Sequence, residues 1–88
     1  MSNDGWRVAF TPGAGKEIDH LDPPVRRRVV KAIRRLAENP HSGSLKKLRG
    51  RPESRLRVGD WRVLVQLDTD TRTILVKHIL PRGRAYER

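Results

Sequence analysis

The sequence contains no cysteine, which excludes a disulfide framework and any thiolate metal site and is compatible with a reducing compartment. Its three histidines, His20, His41 and His78, lie far apart and lack the short spacings that let two imidazoles share a cation, so no metal or other cofactor is expected. No apolar run approaches the roughly 20 residues of a membrane-spanning helix, and no signal peptide is evident, so the expected location is the cytoplasm. Aromatic residues make up only 5% of the chain, and 10 acidic residues stand against 20 Lys and Arg. The net charge of +10 and an isoelectric point near 11.4 favour a polyanionic partner: nucleic acid, an anionic surface or an acidic protein. Charge alone does not choose among them.

What is present is enough for one small domain. The 88 residues are 35% hydrophobic, but the apolar positions recur with regular periods, so a folded domain over 1–88 with a flexible start at 1–5 is expected. Trp6 to Phe10 alternates as a first strand. Thr11 and Pro12 open a short helix carrying Ala14, Ile18 and Leu21, weakened by Gly13 and Gly15. Asp22 before Pro23 and Pro24 caps a stronger helix, whose stripe of Val25, Val29, Ile33 and Leu36 is flanked by Arg26, Arg27, Arg28, Lys31, Arg34 and Arg35. Those cations fit a solvated face as well as a phosphate-binding one. Asn39-Pro40 ends the helix.

A loop from His41 to Gly50 carries Lys46, Lys47 and Arg49. The run Arg55-Leu56-Arg57-Val58 then alternates, sending both guanidinium groups to one face and both apolar side chains to the other. Gly59-Asp60 marks a turn, Trp61 to Leu67 a strand, Asp68 to Thr71 a second turn, and Thr73 to Leu80 a strand apolar enough for the middle of a sheet. The predicted class is α+β, in the order β-α-α-β-β-β, with two N-terminal helices on one face of an antiparallel sheet of about four strands.

The motifs KLRGRPESRLRVGDWRVLVQ and HILPRGRAYER resemble the RelE/ParE superfamily, specifically the RelE-like toxins of bacterial type II toxin-antitoxin pairs, over nearly the whole chain. The resemblance implies a compact sheet with two N-terminal helices and toxicity relieved by an acidic, RelB-like antitoxin. In the RelE branch it also implies cleavage of messenger RNA in the ribosomal A site. By position Arg55 and Arg57 match two basic residues before the turn, Arg62 the arginine after it, and Arg82 and Tyr86 a later arginine and tyrosine around the scissile phosphate. Lysines stand in better-understood members where this chain has Arg55 and Arg57, and arginine stays protonated at ordinary pH, so the identity of the general base is open.

Metal-free cleavage has the ribose 2′-OH attack the adjacent phosphate. Arg62 and Arg82 suit the charge that builds on its oxygens. Arg55 and Arg57 position the backbone or add to that charge, and Tyr86 stacks on a base or activates or orients the 2′-OH. Lys46, Lys47, Arg49 and Arg84 are expected to meet RNA phosphates without reading sequence. Each has a plain structural reading beside it: Tyr86 as an aromatic packed on the sheet, Arg62 as cover for Trp61, Arg55 and Arg57 as charges protecting an edge strand. Trp6 and Trp61 are expected in the core or facing a partner. His78, embedded in TILVKHIL, is expected as a hydrogen-bonded core histidine, with a catalytic base held in reserve. Two other functions share these features: a ParE-like inhibitor of DNA gyrase without RNA cleavage, and a degenerate member that only binds nucleic acid.

Overall fold

Short-range chemistry at Thr11 starts the helical layer. In the structure, a computed structural model described here for residues 5–81, the Thr11 hydroxyl accepts the Ala14 N–H at 3.1 Å and caps α1 (Pro12–Asp19), satisfying one of the donors a helix start leaves open. The second helix, α2 (Pro23–Glu38), begins differently from expectation. Asp22 makes no side-chain cap, and only its carbonyl is engaged, by the Arg26 N–H. The two prolines have no N–H to offer a cap, so the start tolerates its absence.

The strands are β1 (Arg7–Phe10), β2 (Leu45–Lys47), β3 (Ser54–Val58), β4 (Trp61–Asp68) and β5 (Thr73–Pro81). They form one sheet in the order β1-β5-β4-β3-β2. The α+β class and the two N-terminal helices are as the sequence implies, but the sheet has five strands and is mixed, because β1 runs parallel to β5. Antiparallel neighbours are joined by short turns that a sequence displays, whereas a parallel neighbour over 60 residues away leaves no local signal. The added strand, β2, falls inside the expected loop. Three residues ending in two lysines are too few for alternation, and charge there suits an edge.

The core lies between the helices and one sheet face. Val29, Ile33 and Leu36 of α2 and Ala14 of α1 meet Leu56, Val63, Val65, Ile74, Val76 and Ile79, with Trp6 and Trp61 packed half-buried at its margin. Each such large aliphatic side chain contributes about 1.5–3 kcal/mol when taken from water. The arginines of α2 line the outside, as a helix with one apolar stripe requires.

Candidate nucleic-acid interface

Register fixes which side chains share the sheet face away from the helices. Val63 and Val65 point into the core, so Arg62, Leu64 and Gln66 between them point the other way. On β3, Arg55 stands opposite Leu64 and Arg57 opposite Arg62, which places both arginines on that face. Leu56, opposite Val63, is buried on the helix side. Lys46 of β2 stands opposite Arg55 and joins them, whereas Lys47, opposite Ser54, points to the other side. Arg49 lies beyond β2 and is exposed. Of the expected residues, the fold therefore gathers Lys46, Arg55, Arg57 and Arg62 and separates Lys47 and Arg49 from them. Arg82, Arg84 and Tyr86 lie outside the described residues, as does most of the start expected to be flexible.

The turn between β3 and β4 makes this grouping rigid. Gly59 has φ of 59°, the left-handed first position of a two-residue type II′ hairpin turn, which a side chain would strain. Next to it, Arg57 and Arg62 are directly paired, and one row further Lys46 faces Arg55. Two like-charge cross-strand pairs thus occupy one face, each a local cost. Among the described residues no carboxylate pairs with Lys46, Arg55 or Arg57.

The acid on this side is committed elsewhere. Glu53, only 6% exposed, receives Lys77 Nζ on Oε2 at 3.0 Å and Arg51 Nε on Oε1 at 3.1 Å. Lys77 also donates to Gln66 Oε1 at 3.1 Å. The Lys77 hydrogen bond, opposed by burial, holds the Glu53 carboxyl below the usual carboxylate range. The sequence reading missed this network: Glu53 and Lys77 are 24 residues apart, and nothing local marks them as partners.

His78 is corrected. It is exposed, not a core residue, because the β4–β5 register slips by one: Leu64 pairs with His78 but Val65 with Val76, leaving Lys77 as an extra residue. This β-bulge puts His78, opposite Leu64, on the basic face. Strict alternation through TILVKHIL cannot anticipate it.

A second basic surface lies on the helix side. A groove of about 780 Å³ runs between α2 and the end of β3, lined among others by Arg28, Lys31, Arg35, Leu56 and Val58. Among the described residues no three His, Asp or Glu gather as a metal cluster, and no helix is long and apolar enough to cross a membrane.

The fold is shared with solved toxins. A chain of the RelBE2 toxin-antitoxin complex from Mycobacterium tuberculosis aligns with TM-score 0.81 and 24% identity, covering 90% of this chain and 93% of that one. For the archaeal RelE-RelB complex from Pyrococcus horikoshii OT3 the TM-score is 0.76 and the identity 26%, over 92% of this chain and 99% of that one. The isolated Escherichia coli RelE toxin aligns with TM-score 0.79 and 23% identity, over 91% and 87%. No curated protein matches the sequence. The family model for the ParE toxin of type II toxin-antitoxin systems, parDE, matches residues 8–86. With nearly its whole length matched, the chain belongs to that family and is a type II toxin of the RelE/ParE superfamily.

Proposed function

We propose that this toxin is a ribosome-dependent endoribonuclease that cuts messenger RNA in the A site and so stops translation. One observation carries the reading: Lys46 against Arg55 and Arg57 against Arg62 put two repelling pairs on one sheet face. That arrangement costs stability, and an anion such as a phosphodiester between the cations offsets the cost. Arg62 and Arg82 stabilise the charge developing on the phosphate, and Arg55 and Arg57 hold the backbone or share that task. Tyr86 stacks on a base. Lys46, Lys47, Arg49 and Arg84 contact RNA phosphates of the message or ribosome.

The partner is an acidic, RelB-like antitoxin. Two of the similar structures are toxin-antitoxin complexes, and the groove walled by Arg28, Lys31 and Arg35 would steer and bind an acidic chain. The test is primer extension on messenger RNA in programmed ribosomes with an empty A site, comparing wild type with Arg62→Ala and with Arg82→Ala. Ribosome-dependent cuts at the A-site codon, lost in both folded variants, are expected. Uncut RNA from a protein that is toxic in cells refutes the nuclease. One observation favours a second reading: the matching family model is that of ParE, whose branch inhibits DNA gyrase, so inhibition of gyrase supercoiling by an RNA-inactive protein decides for it.

A further inference from the structure

A site built from Arg55, Arg57 and Arg62 can stabilise charge but cannot accept a proton, since a guanidinium is protonated at any ordinary pH. We propose that His78, re-aimed by the β5 bulge, is the proton acceptor of this site, a proposal that rests on the nuclease reading above. The bulge is the key observation. It inserts Lys77 between Val76 and His78 relative to β4, so two consecutive polar side chains reach the face that alternation would have given to only one of them. Lys77 Nζ reaches Glu53 and Gln66 across it. His78 faces Leu64, which is flanked on the other side by Arg55. Arg62 is opposite Leu80, two residues along from His78, so His78 and Arg62 are diagonal neighbours, a spacing of roughly 7–8 Å with the Cβ atoms somewhat closer. An imidazole and a guanidinium at that spacing can flank a ribose and its 3′-phosphate. Bulges characteristically re-aim side chains in this way.

Four other candidates for proton transfer among the described residues are held by their surroundings. Lys77 donates to two acceptors, the Glu53 carboxylate and the Gln66 amide oxygen. An ammonium so engaged has no lone pair to offer. Glu53 is buried beneath Lys77 and Arg51 and is a weak base for that reason. His20 Nδ1 lies 2.7 Å from the Lys16 carbonyl at the end of α1, and His41 meets the Trp6 ring edge-on at 5.8 Å. Both belong to the helical side. His78 alone among the three histidines stands with the arginines.

The charged groups on its face come from three strands, Arg62 from β4, Arg55 from β3 and Lys77 from β5 itself, while α1 on the helical side brings Glu17 to the Ile79 backbone. The Glu17 Oε1 atom accepts the Ile79 N–H at 2.8 Å. In the step proposed, the neutral imidazole takes the 2′-OH proton while the 2′-oxygen lone pair forms the new bond to phosphorus. The P–O5′ bond breaks with its pair on O5′, which takes a proton from water, and the imidazolium returns its proton to solvent. The products are a 2′,3′-cyclic phosphate and a 5′-hydroxyl.

The experiment measures single-turnover A-site cleavage against pH for wild type, His78→Gln, His78→Ala with and without imidazole, His41→Gln and Arg62→Ala, with ribosome association measured separately. For His78→Gln the rate should fall about 100-fold or more, the size of a lost general base, with association unchanged. The acid limb of the wild-type profile should disappear, His41→Gln should behave as wild type, and added imidazole should restore cleavage to His78→Ala. If wild type cleaves and Arg62→Ala does not, a His78→Gln rate within about threefold of wild type on the same pH profile overturns the role of His78 alone. A defect that imidazole does not repair also overturns it. If wild type makes no cuts, the nuclease reading fails and takes this one with it.

Discussion

Glu53→Ala should be among the most damaging substitutions outside the hydrophobic core. The carboxylate side chain is 8% exposed and holds two cations, Arg51 at 46% and Lys77 at 27% side-chain exposure. Deleting it leaves Lys77 the neutral Gln66 amide oxygen in place of a carboxylate. Removing one member of a buried pair typically costs about 3–5 kcal/mol, because the other charge stays desolvated. Lys77 is exposed enough to recover part of its hydration, and Arg51 most of its own, which lowers the expected loss to about 2–3 kcal/mol. In a domain of this size that is a fall of roughly 10–20 °C in melting temperature. Urea unfolding followed by circular dichroism measures the loss directly. Combining it with Lys77→Met in a double-mutant cycle separates the pair from the rest, and the double variant should recover at least about 1 kcal/mol over the sum of the single changes.

The pH dependence supplies a second reading of the same network. Lys77 lowers the Glu53 carboxyl below its ordinary value, so the folded state binds this proton less readily than the unfolded chain. The stabilisation is present above the ordinary carboxylate range and is lost as pH falls through the lowered folded value. The gap between wild type and Glu53→Gln should therefore be constant above about pH 5 and close on further acidification. A Glu53→Ala protein within about 0.5 kcal/mol of wild type, or a cycle with no coupling, refutes the reasoning.

Two further changes probe neighbouring features. Glu17→Ala removes the acceptor that takes the Ile79 N–H at 2.8 Å across 62 residues, and should cost about 1–3 kcal/mol with faster amide exchange at Ile79; unchanged exchange there argues that water replaces the carboxylate without loss. Arg57→Thr relieves the repulsion with Arg62 and should raise stability by about 0.2–1 kcal/mol in urea at low salt while reducing A-site cleavage; a destabilised variant contradicts the strain assigned to that pair.

What the sequence displays and what it hides follow from the range of the interactions. Thr11 and its Ala14 partner, the Gly59-Asp60 turn and the Arg55-Leu56-Arg57-Val58 alternation are local, and all are legible. The parallel pairing of β1 with β5 and the Glu53–Lys77 bond join distant segments and are not. His78 is the instructive case. A hydrophobic context and a period of two assign it to the core, but one inserted residue reverses the facing of everything before it. Val76 and Ile79 are both buried and cannot be so at even spacing in an uninterrupted strand. The sequence marks the slip only by the adjacent polar residues Lys77 and His78 between Val76 and Ile79.

The bulge also explains why a buried ion pair sits beside a face of repelling cations. Lys77 is the extra residue, and its ammonium crosses β4 at Gln66 to reach Glu53, which immediately precedes β3. The bond therefore ties together two strands that are not neighbours in the sheet, β3 and β5, over the strand that carries Arg62. Without it, β5 could return to regular pairing, turning His78 away from the cations. With it, the irregular register is held by a bond that a regular strand could not make. The stability lost in the Arg57–Arg62 and Lys46–Arg55 pairs is offset in part by the same network that keeps the basic face in shape. A substitution at Glu53 should therefore weaken the fold and displace His78 together, whereas one at Arg57 should strengthen the fold and weaken only the site.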